Sequence, residues 1–218
     1  MGSNLNLNYQ IEEYINSHSI KLHPVQYEII KYNETLGEIK KMQISISQCH
    51  FLHLIVKIIK PKNILEIGTF TGLSALTMGL AMDENSKLTA LDKNKETSDV
   101  AMSFFKKAKI DNKINLLINN AIVSLDDLHN QKKKFDFIFI DADKENYINY
   151  FNNSLNILNN NGIIVVDNVL WYGDVADQNK NDRLTLKIRE FNKFIKDDNR
   201  VESLILPIGD GLYVCRKK

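Results

Sequence analysis

Residues 63–82, NILEIGTFTGLSALTMGLAM, contain the pattern that decides the fold. The apolar run NILEI is followed by a loop with two glycines and then by LSALTMGLAM, an apolar stretch of helical length. A strand, a glycine loop and a helix in this order are typical of the first unit of a parallel α/β sheet. The stretch therefore predicts a strand whose loop leads to a helix N-terminus, where a ligand can bind.

The chain continues this alternation towards its C-terminus. Four more apolar runs, separated by helical patterns, predict strands at residues 87–92, 114–118, 135–141 and 162–167. Such alternation predicts a mostly parallel sheet with helices on both faces. Two final runs, residues 201–208 and 211–218, flank a Gly-Asp-Gly turn. They predict a closing hairpin with an antiparallel last strand.

The first 60 residues predict helices. Apolar residues at helical spacing indicate one helix around residues 11–15 and another after Pro24. A third runs from about Ser47, with Ser45 or Ser47 as its cap, and ends at Pro61. Because no repeat or linker interrupts the chain, we expect a single domain over residues 1–218, with N-terminal helices in 1–60 and the α/β core in 61–218.

Composition indicates an ordinary globular protein of 218 residues, 44% hydrophobic and 25% charged, with a net charge of +1. This charge gives no electrostatic argument for a nucleic-acid or membrane partner. Cys49 and Cys215 match neither a disulfide framework nor a metal-ligand spacing. The N-terminus lacks a secretion signal, and the apolar run at residues 51–59 is too short to span a bilayer. We expect a cytoplasmic protein with no membrane partner.

Acidic residues lie at four predicted strand ends: Glu66, Asp92, Asp141 and Asp167. In an open parallel sheet, ligands bind beyond the carboxyl ends of the strands, near the switch in strand order. Each acid alone could be a solvated side chain or a helix cap. Four that can converge on one edge predict a polar site.

The first loop indicates a nucleoside-like cofactor. Phe70 occupies the second glycine position of the G-x-G-x-x-G dinucleotide fingerprint, which argues against a pyrophosphate on this loop. Glu66 suits a ligand with an ammonium or sulfonium group. Asp92 follows the loop by about 20 residues, where a carboxylate can bind ribose hydroxyls.

The fourth and fifth strand ends indicate a divalent cation. Asp141, Asp167 and Asn168 offer three oxygen ligands of the kind that Mg²⁺ prefers. Two neighbouring buried carboxylates would also repel each other without a cation between them. Lys144 is expected at the start of the next helix, where a metal and a sulfonium would lower its pKa towards that of a general base.

Four motifs occur in an order that resembles one family: LEIGTFTGLSAL, DADKENY, DNVLWYGDV and LPIGDGLYVCRK. The chain resembles the cation-dependent, S-adenosylmethionine-dependent O-methyltransferases, which include caffeoyl-CoA and, more distantly, catechol O-methyltransferases. The resemblance implies a Rossmann-like, seven-stranded class I methyltransferase sheet and a homodimer. It also implies that the N-terminal helices contribute to the acceptor site and the dimer contact.

The resemblance also implies roles for individual residues. Cofactor-binding positions would be Glu66, Gly68, Thr69, Ser74, Asp92, Ala121 and Asp141. The metal ligands would be Asp141, Asp167 and Asn168, the catalytic base Lys144, and the acceptor-site residues Asp143 and Trp171, although Trp171 could equally be a core residue. Ile46 and Cys49 replace a proline and a glycine usual in bacterial relatives, so the lid over the cofactor is expected to differ.

The expected reaction is metal-dependent methyl transfer from S-adenosylmethionine to a hydroxyl oxygen of a catechol-like or other vicinal-hydroxyl small molecule. Three alternatives remain. A tRNA hydroxyuridine O-methyltransferase is less favoured, although QKKKF at 131–135 and the terminal CRKK could contact RNA. A dehydrogenase is disfavoured by Phe70. A non-catalytic S-adenosylmethionine-binding protein would not need the complete set of Asp141, Lys144, Asp167 and Asn168.

Overall fold

The computed structural model describes residues 8–218, which form a seven-stranded sheet with helices on both faces. The strands are β1 (Asn63–Ile67), β2 (Lys87–Asp92), β3 (Ile114–Ile118), β4 (Phe135–Ile140), β5 (Leu158–Val166), β6 (Val201–Leu206) and β7 (Leu212–Lys217). The α-helices are α1 (Tyr9–Ser17), α2 (Pro24–Glu34), α3 (Ile46–Ile59), α4 (Leu73–Ala81), α5 (Lys95–Lys107), α6 (Ala121–Asn130), α7 (Tyr147–Ile157) and α8 (Arg183–Lys196). Short 3₁₀ segments are Gly37–Met42, Asp111–Lys113, Lys144–Asn146 and Trp171–Ala176.

The strand order β3-β2-β1-β4-β5-β7-β6 positions the site. Strands β1 to β5 are parallel, and β7 is antiparallel to both β5 and β6. The predicted α/β fold with an antiparallel last strand is therefore confirmed. The chain proceeds outward from β1 in one direction and from β4 in the other, so the switch in strand order lies between β1 and β4. The crevice beyond these two strands is the expected ligand position.

Alternation along the strands produces a core on each face of the sheet. In β4, Phe137 and Phe139 join the core under α2 to α5, whereas Ile138 and Ile140 join the core under α6 to α8. All four side chains are fully buried. A parallel strand covered on both faces needs such a continuous apolar run, because successive side chains point to opposite sides.

The N-terminal helices pack on the first of these cores. Ser45 caps α3 in a capping box with Gln48, which decides between the two predicted caps. Residues Gly37–Ile59 are apolar and long enough, by length and composition alone, to cross a membrane. They form a 3₁₀ segment, an extended link and α3, however, and Cys49, Leu52 and Val56 of α3 are buried in the core. The expectation about a secretion signal concerns in part residues 1–7, which lie outside the described residues.

One predicted boundary was wrong. The pattern predicts a strand that begins at Gly162, after three asparagines at residues 159–161. In the structure, β5 begins at Leu158, immediately after α7. The register between β4 and β5 shifts at this point, from Phe135 opposite Leu158 to Phe137 opposite Ile163. This irregularity accommodates a polar, turn-forming stretch at the end of a strand.

Candidate active site

The carboxyl ends of the central strands are joined side by side by backbone hydrogen bonds. The Asp141 N–H donates to the Ile67 carbonyl, and the Asp167 N–H donates to the Ile140 carbonyl, both at 2.9 Å. The Gly68 N–H donates to Leu91 at 2.9 Å. The acids predicted at these strand ends are therefore brought to one edge of the sheet.

Gly68 allows the β1 loop to approach the end of β4. Its φ is +91°, and a Cβ added there would lie 1.9 Å from the carbonyl oxygen of Asp141. A Cβ on Gly72 would meet the Phe105 ring at 2.7 Å. Contacts within the protein therefore already require glycine at both positions, before any ligand approaches the loop. Phe70 has a φ of +52°, so it adopts a glycine-like conformation despite its bulk.

Glu66 is a buried acid without a partner. It is fully buried, and neither carboxylate oxygen has a hydrogen-bond partner among the described residues. Burial raises its pKa to about 8; Ser74 and Thr69 lie near enough to oppose this shift, without a hydrogen bond of normal geometry. A buried acid without a donor is unfavourable in the protein alone. The position therefore fits a ligand that brings a positive charge, as S-adenosylmethionine does.

Asp92 lies beside the same loop and is not a helix cap. Its Oδ2 accepts from the N–H groups of Thr69 and Phe70, at 2.9 and 2.8 Å. Its Oδ1 accepts from the Asn94 N–H at 2.8 Å, while Asn94 itself caps α5. A carboxylate can accept about four hydrogen bonds, so Asp92 retains capacity for a ligand hydroxyl.

Lys144 is the centre of a nearly buried polar cluster. Its Nζ donates to Asp141 Oδ1 at 3.0 Å, to Asn168 Oδ1 at 2.7 Å and to the Tyr147 hydroxyl at 2.7 Å. An ammonium group has three donors, so all three are used. Burial acts to lower the pKa of Lys144, but Tyr147 and the carboxylate of Asp141 outweigh burial and raise it. These neighbouring side chains therefore shift the pKa of Lys144 in the opposite direction to the shift predicted for a bound metal and sulfonium.

Asp167 lies next to this cluster and is held from the other side by α3. It is 2% exposed, and its Oδ1 accepts from Gln48 Nε2 at 2.5 Å and from the Asn168 N–H at 2.6 Å. Burial, and then the negative charge of Asp141, raise its pKa well above the usual value. Among the described residues, no hydrogen-bond donor reaches Oδ2, so that oxygen remains available to a cation.

The donor set fits a hard divalent cation. Asp141, Asp167 and Asn168 supply only oxygen atoms, and two of these side chains already converge on the positive charge of Lys144. Within residues 8–218, no group of three or more His, Cys, Asp or Glu side chains could hold a metal. A metal site here therefore depends on the amide oxygen of Asn168.

The remaining predicted residues are those assigned to the cofactor site and those assigned to the acceptor site. Thr69 and Ser74 are buried in the β1 loop and the first turn of α4, and Ala121 begins α6 behind its cap Asn120. Trp171 is partly buried and packs on the second core, while the adjacent Tyr172 is 73% exposed. Asp143 is not brought into the cluster.

Asp143 has a local role in the structure. Its side chain accepts from the Tyr150 hydroxyl at 2.6 Å and from Asn146 Nδ2 at 2.5 Å. Both oxygens are therefore used to hold the start of α7.

Three residues of the site were missed by sequence reasoning: Gln48, Tyr147 and Asp210. Gln48 had one available signal, because it completes the capping box of Ser45. Tyr147 follows Lys144 by three positions, and Asp210 lies in the Gly-Asp-Gly turn. Both occur within recognised motifs, but their contacts depend on how distant segments meet.

Comparison with known proteins identifies the family that the chain matches. Residues 16–218 match the protein family described as O-methyltransferase. A caffeoyl-CoA O-methyltransferase of Medicago sativa is 38% identical over 185 residues, covering 81% of this chain and 75% of that protein. A flavonoid 3',5'-methyltransferase of Vitis vinifera is 36% identical, covering 81% and 79%. The crystal structure of an O-methyltransferase from Bacillus cereus in complex with SAH has a TM-score of 0.87 and 29% identity, covering 96% and 97%.

Proposed function

The chain belongs to the O-methyltransferase family, and we propose that it methylates a hydroxyl oxygen of a small molecule with vicinal hydroxyl groups, with the aid of a divalent cation. Its enzyme class is that of the S-adenosylmethionine-dependent O-methyltransferases. Asp141, Lys144 and Asn168 converge beside the buried Asp167, and this observation supports a cation-dependent reaction on an acceptor with vicinal hydroxyl groups.

The cofactor half of the site would be formed by the β1 loop and its neighbours. S-adenosylmethionine supplies a methyl group on a positively charged sulfur. Glu66 would pair with a cationic part of this molecule, Asp92 with the ribose and Ser74 with the methionine carboxylate. Thr69 and the start of α6 at Ala121 would complete the pocket.

The metal half of the site would activate the acceptor. Bound to Asp141, Asp167 and Asn168, a divalent cation would stabilise the negative charge that develops on an acceptor hydroxyl. Lys144 would act as the base only as the neutral amine, which a bound divalent cation and the sulfonium would favour by lowering its pKa. Its Nζ would then take the hydroxyl proton. The acceptor oxygen then forms a bond to the methyl carbon while the carbon–sulfur bond breaks, and its electron pair remains on sulfur. General base catalysis contributes about 10²–10⁴-fold, and alignment of the reacting atoms contributes further.

Relatives named for caffeoyl-CoA and for flavonoids favour an aromatic acceptor with adjacent hydroxyls. Trp171 and Tyr172 would provide the aromatic wall, because they follow the proposed metal ligand Asn168 after only Val169 and Leu170. A tRNA acceptor is less favoured, because the basic residues that could contact RNA lie far from the site. Residues 132–134 precede β4, and the basic residues 216–218 form the end of β7, which is antiparallel to β5. Both groups therefore lie at the amino ends of the parallel strands, opposite the site.

We also propose that the N-terminal helices contribute to the acceptor site and to a homodimer. Leu54 and Ile58 on the outer face of α3 are 59% and 66% exposed, as is usual for an apolar surface that meets a partner. Sedimentation velocity of the wild type and of Leu54→Lys tests this part. A monomer in the wild type contradicts it.

The central test is calorimetric titration of S-adenosylmethionine, with and without Mg²⁺, into the wild type and Asp141→Ala. We expect weaker cofactor binding and loss of metal binding in the variant. Asp99→Ala on the surface of α5 is the matched control. Turnover is then measured with catechols and with hydroxylated tRNA. Binding without turnover on any acceptor would favour the non-catalytic alternative, and methylation of tRNA alone would favour the RNA alternative.

A further inference from the structure

The Gly-Asp-Gly turn at residues 209–211 packs against α3 on one side and against the loop that carries Asn168 on the other. A Cβ on Gly209 would lie 2.6 Å from Gln48 Cδ, and a Cβ on Gly211 would lie 2.4 Å from Leu170 Cγ. The Leu170 N–H also donates to the Asp210 carbonyl at 3.0 Å. Both glycines are therefore needed for the turn to reach this position, and Asp210 is held between them.

The Asp210 side chain contacts the loop at two points. Its Oδ1 accepts from the Tyr172 N–H at 2.5 Å, and its Oδ2 accepts from Asn168 Nδ2 at 3.3 Å. The other end of the Asn168 amide, Oδ1, accepts from Lys144 Nζ at 2.7 Å. An amide has one donor end and one acceptor end, so only one orientation suits both neighbours. The reverse orientation would place oxygen against the Asp210 carboxylate and NH₂ against the ammonium group.

We propose that Asp210 is a positioning residue that makes Asn168 present its oxygen, not its NH₂ group, to the metal. This inference rests on the metal centre proposed above. Hard cations bind amide oxygen, so the orientation of this amide decides whether Asn168 can be a ligand. The backbone of Asn168 is in the left-handed region, with a φ of +56°, which tertiary contacts hold in place. Rotation of the amide is then the remaining freedom, and Asp210 restricts it from the NH₂ end while Lys144 restricts it from the oxygen end.

The decisive variant is Asp210→Asn. The new residue has one acceptor end; with that end on the Tyr172 N–H, its NH₂ group faces Asn168. The Asn168 amide then turns its oxygen towards position 210 and its NH₂ group towards the metal. We expect Mn²⁺ affinity, measured by electron paramagnetic resonance without cofactor or acceptor, to fall at least about tenfold. The matched control is Asp174→Asn, at a position of the following 3₁₀ segment that lies outside the cluster.

The double variant Asn168→Asp/Asp210→Asn tests orientation separately from charge. It exchanges the carboxylate and the amide, so the number of acidic groups is unchanged. The carboxylate introduced at position 168 would accept from the amide at position 210 and still offer an oxygen to the metal. We expect most of the Mn²⁺ affinity to return.

The outcomes separate this inference from the metal centre itself. A wild type that binds no Mn²⁺ overturns both. Wild-type affinity in Asp210→Asn, or a double variant no tighter than Asp210→Asn, overturns the positioning role alone. If Asp210→Asn does not fold, the double variant decides by comparison with the wild type. Mn²⁺ affinity far below that of the wild type in a folded double variant overturns the positioning role.

Discussion

The two halves of the site differ in how their buried charges are balanced. In the metal half, Lys144 lies within hydrogen-bond distance of Asp141 and Asn168, and Gln48 donates to Asp167. In the cofactor half, Glu66 is fully buried and neither of its carboxylate oxygens has a partner among the described residues. The metal half is therefore assembled by the protein's own side chains, whereas the cofactor half is completed only by a ligand.

The difference follows from the cost of burying a charge. A buried charge without a counter-charge loses its hydration and gains nothing in return, so the group becomes neutral instead. Glu66 does this, since its pKa is raised to about 8. In the metal half the positive charge of Lys144 compensates Asp141, whereas burial raises the pKa of Asp167 as it does that of Glu66. Removing the charge of Lys144 should therefore lower the stability of the fold, whereas removing the acidic group of Glu66 should have the opposite effect.

Lys144→Met gives the largest expected effect. Loss of the proposed base should lower kcat by about 10²–10⁴-fold, with S-adenosylmethionine affinity unchanged. The variant should also be less stable than the wild type without metal, because Asp141 and Asp167 lose their positive neighbour, and Mg²⁺ should restore part of this loss. Single-turnover methylation and thermal unfolding measure the two effects. Lys180→Met, an exposed lysine near Asp174, is the control; turnover close to wild type in Lys144→Met would exclude the base.

Glu66→Gln should have the opposite effect on stability. The folded pKa of Glu66, about 8, lies above its ordinary value of 4.5, so the folded state binds the proton more tightly. This contribution is complete below about pH 4.5 and is lost as the pH rises towards 8. We expect wild-type stability in urea to decline over this range by a few kcal/mol more than that of Glu66→Gln. Glu84→Gln, at an exposed turn, is the control; identical pH profiles would contradict the assignment.

Tyr147→Phe gives the smallest expected effect. Its hydroxyl donates to the Asp167 carbonyl at 3.0 Å and accepts from Lys144. Loss of these bonds should cost about 1–2 kcal/mol and lower kcat roughly tenfold, with KM for S-adenosylmethionine unchanged. Tyr150→Phe is the matched control, because its hydroxyl binds Asp143 outside the cluster. Equal kinetic effects in the two variants would show that Tyr147 has a general structural role only.

The sheet and the acids at its edge were predictable because local pattern determines them. The apolar run of β4 ends at Asp141 and that of β5 at Asp167, and parallel strands bring their carboxyl ends together. Asn159, by contrast, lies outside the predicted strand 162–167 but within β5. Its side chain donates to Asp136 in the neighbouring strand at 2.7 Å, a contact that local propensity does not reveal.

The residues that orient the acids were not predictable from local pattern. Gln48 meets Asp167 across 119 positions of sequence, and Asp210 meets Asn168 across 42. Such contacts depend on where β7 enters the sheet. The hairpin was predicted, but its insertion of β7 between β5 and β6 was not. This insertion brings the Gly-Asp-Gly turn to the carboxyl end of β5, and the polar partners of the site follow from it.

The close approach of Gly68 to Asp141 has a consequence for engineering. Because no side chain fits at position 68, the β1 loop and the end of β4 form one unit that a mutational library cannot widen. Variants selected for new acceptors are therefore expected to accumulate changes at Trp171, Tyr172 and the N-terminal helices. Position 68 should remain glycine in every active clone.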